Sequence, residues 1–203
     1  PQELRLTAET LAVALRFLSY SSETQAVLPL LIHEALSTGD LARLASQALL
    51  VMADLSDMLY RGMELSVMCS EDYPWLDLDA DYGDTILGNA MLEGIEAQCA
   101  VWPQGEAPAD FHEPFPADTP TLLLSGERDP VTPPSYAELA AEAYANSLHL
   151  VAPGRSHSVL RNACLQEIAT AFIEAGSLEG LDTSCVDTIG PSPFFKNLLG
   201  PDP

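Results

Sequence analysis

Positive charge is nearly absent from this chain. Eight lysines and arginines stand against thirty aspartates and glutamates over 203 residues, Lys196 is the single lysine, and the formal net charge is -22. A surface of that sign repels nucleic-acid phosphates and anionic membranes, so neither is an expected partner. The plain reading of the charge is solubility rather than attraction of a substrate. Long apolar runs are missing as well. No segment reaches the ~20 residues a membrane-crossing helix needs, and the first residues show no basic stretch followed by an apolar core. The four cysteines form no C-x-x-C pair and the four histidines do not accompany them at zinc-ligand spacing, so no metal and no other cofactor is expected. Internal repeats, heptads and phosphate-binding loops are also lacking.

What is present suffices for a core. Hydrophobic residues make up 47% of the chain, enough for one domain with an attached helical piece or for two small units. Helical spacing dominates the first sixty residues. From Thr7, the residues Leu11, Ala14, Leu15 and Leu18 share one face until Ser21-Ser22 interrupts. A second helix is expected from near Pro29 to Ser37, stopped by Gly39. Asp40 then reads as the cap of a third, with Leu41, Leu44, Ala45, Ala48, Leu49, Met52, Leu55 and Leu59 as its apolar face and Gly62 as its end. His33 reads as a helix-surface histidine, and Met52, Met58, Met63 and Met68 as packing residues. The short apolar run 63–68 gives way to charge at Glu71 and Asp72. A further helix is expected over 85–99, and residues 103–120, rich in proline, form a long connection.

The most informative stretch is 121–157. Thr121 to Leu124 is an apolar run ended by Ser125-Gly126, which predicts a buried strand. Thr132 and Pro133 read as N-cap and first position of a helix whose face carries Leu139, Ala140, Ala143 and Tyr144. Leu148 to Val151 gives a second strand, ended by Pro153-Gly154. Strand, helix, strand predicts a parallel βαβ unit of the α/β class, in which functional groups gather at the carboxyl ends of strands. Asp129 and His157 both stand there. Either alone reads as an ordinary loop residue, whereas together, after successive strands, they point to an acid–base pair. Leu160, Cys164, Leu165, Ile168 and Phe172 then predict an amphipathic helix stopped by Gly176, and residues 186–203 a frayed tail.

The segments LLLSGERDPVTPP and NSLHLVAPGRSH, with the cysteine-containing tail, resemble the secreted tripeptidyl aminopeptidase and proline iminopeptidase-like (TAP-like) branch of the α/β-hydrolases. The resemblance implies a helical lid over 1–62 and the C-terminal part of a hydrolase core over 63–203. It implies that Asp129 orients, and that His157 acts as general base in acyl transfer by a serine exopeptidase of aminopeptidase type. Two departures stand out. Ser156 occupies the place where the family usually has glycine before the histidine. None of the 12 glycines starts the G-x-S-x-G elbow that carries the nucleophile, so the first half of the fold, with serine and oxyanion hole, is expected as a partner from outside this sequence. Acyl transfer by this chain alone is then expected to be negligible, since Ser156 and Ser158 beside the base lack an elbow.

Four cysteines permit three pairings, and four buried free thiols are the alternative. The resemblance favours Cys69 with Cys99 and Cys164 with Cys185, and with them a secreted or periplasmic location. It also makes Glu71 and Asp72 candidates for holding the free amino group of a peptide, although a solvated acidic loop is the plainer reading. An esterase of the same fold, and a non-catalytic binding module that pairs or self-associates through an exposed sheet edge, are the alternatives.

Overall fold

The computed structural model describes residues 7–85, 87–157 and 159–201, without the side chains of residues 9, 52 and 54–58. The chain divides into two compact units that alternate along the sequence, Pro1–Leu15 with Ala42–Glu113, and Arg16–Leu41 with Pro114–Pro203. This division differs from a break at residue 62, because residues 16–41 group with the strands. Helix α1 (Ala8–Leu18) carries the chain from the first unit into the second.

The first unit has no strand among its described residues and is built from α3 (Ala42–Met58), α4 (Arg61–Val67), a π-helical turn at Met68–Asp72 and α5 (Ala90–Cys99), with turns and irregular backbone over the described residues of 76–89 and over 100–113. Gly62 was expected to end a helix, yet it lies inside α4, because the break comes earlier, at Leu59 and Tyr60. The apolar stripe of α3 is narrower than its sequence suggests. Leu44 and Ala48, one turn apart, are buried, whereas Leu41 and Leu49 are about half exposed. The side chains of Met52, Leu55 and Met58 lie outside the described residues. Cys69 and Cys99, both fully buried, are joined by a disulfide. The chain leaving α5 folds back onto α4 and the π-helical turn. Trp102 Nε1 donates to Ser66 Oγ (3.1 Å) and the Gly105 amide to Ser70 Oγ (2.8 Å).

The second unit holds α2 (Ser22–Thr38), β1 (Thr121–Gly126), α6 (Pro134–Ala141), β2 (Ser147–Ala152) and α7 (Ala163–Ala175). Helix α2 begins seven residues before Pro29. Ser21, in extended backbone, accepts from the Glu23 and Thr24 amides and so caps the helix early, leaving Pro29 in its interior. Gly39 ends it with φ 73°. The two strands pair in parallel from Thr121–Ser147 to Gly126–Ala152, with α6 as the crossover. Pro133 and Pro134, rather than Thr132 and Pro133, stand at the cap and first position of α6. Helix α6 ends at Ala141, so Ala143 and Tyr144 lie beyond it, and of the expected face Leu139 is 67% exposed whereas Ala140 is partly buried.

Ala152, Val159, Leu165, Ile168 and Ile189 form the core, with Leu122, Leu124 and Leu150 packed against it. Gly176, at φ 61°, ends α7 as expected, and the disulfide Cys164–Cys185 ties that helix to the 3-10 turn Ser184–Thr188. Over its described residues, 186–201, the tail is held rather than frayed. Ile189 enters the core, the Phe195 amide donates to the Ala26 carbonyl (3.0 Å), and Pro191 lies so close to Gly154 that a Cβ there would meet it at 2.5 Å.

Candidate active site

The loops after the two strands are laced together, and the lacing brings an acid to a base. The Glu127 amide donates to the Ala152 carbonyl (3.1 Å), the Arg128 amide to the Arg155 carbonyl (2.8 Å), and the Gly154 amide to the Glu127 carboxylate (2.6 Å). Such close approach needs glycine at the end of β1. A Cβ on Gly126 would sit 2.2 Å from the Ser156 carbonyl oxygen and 2.6 Å from that of Arg155. Only a residue without Cβ lets the second loop cross there.

Asp129 follows three residues later and its carboxylate is almost fully enclosed, with 3% of the side chain exposed. Oδ1 accepts from the Val131 amide (2.8 Å) and the Thr132 amide (3.0 Å), an Asx-type turn. Oδ2 accepts from the Thr132 hydroxyl (2.9 Å) and stands 2.9 Å from His157 Nδ1. Burial pushes this carboxyl up. The Thr132 and Val131 amides, the His157 ring and the Thr132 hydroxyl outweigh it and hold the group below the usual carboxylate range. Asp129 is therefore an anion at neutral pH and can only accept, so the proton of a neutral imidazole sits on Nδ1 and Nε2 is left with its lone pair. Thr132 Oγ1, 3.2 Å from Nδ1, steadies the same proton.

His157 is the open member of the pair, its side chain 37% exposed. Among the described residues no hydrogen bond is made at Nε2. The ring lines an open cleft of about 610 Å³ with Leu122, Leu124, Val159, Leu160 and Arg161. An enclosed carboxylate behind an exposed imidazole, with a free Nε2 on an apolar cleft, is the arrangement that general-base chemistry requires.

A family model described as TAP-like protein matches residues 84–185, half of the chain, including both strands, Asp129 and His157. The chain belongs to this family. No curated protein and no solved structure matches the chain. Membership in the TAP-like family makes it a hydrolase of the α/β class, in keeping with the small parallel sheet and its flanking helices. The cysteine pairing expected from the resemblance is the observed one, Cys69 with Cys99 and Cys164 with Cys185.

The remaining candidate residues fall elsewhere. Glu71 and Asp72 lie in the first unit, on the π-helical turn next to Cys69, and the Glu71 carbonyl faces His112 Nε2 at 2.8 Å. Ser156 is 1% exposed and its hydroxyl donates to the Ser19 carbonyl, which makes it unsuited to be a nucleophile; Ser158 lies outside the described residues. Sequence reasoning missed Thr132 as a ligand of the acid, since it read as a helix cap. The D-P-x-T spacing of an Asx turn was the available signal. It also missed Tyr20, whose carbonyl accepts the His157 amide (3.1 Å) and whose ring meets the imidazole edge-on at 5.6 Å.

Proposed function

We propose that this chain supplies the acid and base of a serine exopeptidase of aminopeptidase type. The observation that carries the reading is the Asp129–His157 pair, with its buried acid and open Nε2. In the proposed reaction a serine hydroxyl attacks a peptide carbonyl and His157 Nε2 takes its proton. The tetrahedral intermediate collapses as that proton passes to the leaving amine, and water repeats the cycle on the acyl-enzyme. Asp129 keeps Nδ1 protonated and stabilises the imidazolium. With no G-x-S-x-G in the sequence, the nucleophile and oxyanion donors come from a complementary segment of the same fold.

Support for such a partner comes from the sheet, which among the described residues has only two strands and leaves the other edge of β1 without a neighbour. Parallel sheets are normally wider and covered on both faces. Residues 1–62 are proposed as the substrate-selecting lid, and Glu71 and Asp72, on a π-helical turn of a kind that recurs at functional sites, as holders of the substrate's amino group. The disulfides fit secretion into an oxidising compartment, and no helix among the described residues is long and apolar enough to cross a membrane.

The same unpaired edge favours a second reading, a binding module that pairs with another chain or with itself and turns over nothing. Turnover separates the two. The chain joined with a G-x-S-x-G-bearing segment of a TAP-like hydrolase is expected to cleave aminoacyl amides and peptides, and His157→Ala to lose that activity while still folding. Unchanged turnover in the variant excludes His157 as base, and preference for simple esters over peptides excludes the exopeptidase.

A further inference from the structure

Asp129 fixes only one atom of the His157 ring. The backbone of the same residue is held separately, by the turn between α1 and α2. The His157 amide donates to the Tyr20 carbonyl (3.1 Å), the Ser156 amide to Ser22 Oγ (2.9 Å), and the Ser156 hydroxyl to the Ser19 carbonyl. The turn is itself hydrogen-bonded to its flanking helices. The Ser19 amide donates to the Arg16 carbonyl, Thr24 Oγ1 donates to the Leu18 carbonyl, and Ser21 caps α2. One residue further on, Gln25 Nε2 donates to the Ser19 carbonyl (3.1 Å) and reaches the Arg128 carbonyl (3.4 Å), next to Asp129. Residues 19–25 therefore touch both the loop that carries the acid and the loop that carries the base.

We infer that this turn is a positioning element for His157, and that Ser156 is its principal positioning residue. The inference rests on the reading of His157 as base. An imidazole tethered at Nδ1 alone can still swing about that bond and about χ1. Held at its backbone as well, with the Tyr20 ring against its edge, it points Nε2 in one direction, and such orientation is what proton transfer depends on. The Ser156 hydroxyl adds a buried bond one residue before the base, which a side chain without a donor could not supply. Loss of that hydroxyl leaves no orphaned group on the turn, because the Ser19 carbonyl keeps its bond from Gln25. The effect of its removal is accordingly local to the ring.

The test is nitrogen-edited NMR of the imidazole rings of the 203-residue chain. In the wild type, His157 is expected as the single Nδ1-protonated tautomer with cross-relaxation between its ring and that of Tyr20. In Ser156→Ala the second tautomer is expected to appear and the Tyr20 cross-peak to fade. His149, whose Nε2 faces Ser125 Oγ at 2.9 Å within the sheet, serves as the unchanged control. Ser22→Ala removes only the acceptor of the Ser156 amide and is expected to act in the same direction, less strongly; it carries the test if Ser156→Ala does not fold. An unaltered tautomer and cross-peak in both variants overturns the inference. A wild-type ring protonated at Nε2 refutes the role of His157 as base instead, and the Tyr20 cross-peak still decides the tether.

Discussion

Replacing Gly126 by alanine is the smallest change that should disturb the site without touching any of its functional groups. The added Cβ would stand 2.2 Å from the Ser156 carbonyl oxygen, 2.6 Å from the Arg155 carbonyl oxygen and 2.8 Å from the Ser156 carbonyl carbon. Ordinary contact begins near 3.4 Å, so strand and loop must separate by roughly 1 Å. The clashing atoms are backbone, and their retreat pulls on the Arg128–Arg155 bond (2.8 Å) and the His157–Tyr20 bond (3.1 Å). A shift of that size carries the 2.9 Å contact between His157 Nδ1 and Asp129 out of hydrogen-bonding range. Overpacking of this kind costs about 1–3 kcal/mol of stability, and a misplacement of about 1 Å costs on the order of 100-fold in rate. Urea unfolding of the chain gives the first quantity and turnover of the complemented enzyme the second. A Gly126→Ala protein with wild-type unfolding midpoint and wild-type turnover would show that the loop crossing has slack, and the account of how β1 and β2 deliver the pair would be wrong.

Two other expectations concern stability. The Cys164–Cys185 bridge closes a 21-residue separation, and the chain-entropy relation assigns it about 3 kcal/mol. Cys164→Ala with Cys185→Ala should lower the unfolding free energy by about that amount with Cys69–Cys99 intact; a loss below about 1 kcal/mol would mean the tail is held mainly by Ile189 and Phe195. The carboxyl of Asp129 is held below its ordinary value of 3.8, so its stabilisation is complete above that pH and is lost as pH falls through the lower folded-state value. The stability difference between wild type and Asp129→Asn should therefore be flat above about pH 5 and shrink as pH drops below 3.8. A difference that stays constant to the acid end of unfolding titrations contradicts the shift.

The part of this fold that could be read from the sequence was the part built from local signals. Ser125-Gly126 and Pro153-Gly154 punctuate two apolar runs, and the resulting βαβ unit is enough to bring Asp129 and His157 to neighbouring strand ends. Where two local signals competed, the reading went astray. Pro29 resembled a helix start until the serine cap at Ser21 took precedence, and Thr132 resembled a cap while its hydroxyl was bonding the carboxylate three residues back. Gly126 looked like a turn residue, whereas its need arises from a loop some thirty residues further along the chain. Nothing local announces the tether between Ser156 and Ser19, which lie 137 residues apart. The disulfide pairing was likewise beyond residue spacing and came only through family resemblance.

The central claim is that Asp129 holds the proton of His157 on Nδ1 and leaves Nε2 free to act as base. Proton NMR of the exchangeable low-field region, with the ring selectively labelled, tests it most directly. One hydrogen-bonded resonance correlated to His157 Nδ1, present in the wild type and gone in Asp129→Asn, is the predicted result. A resonance on Nε2, or one that survives the loss of the carboxylate, contradicts it.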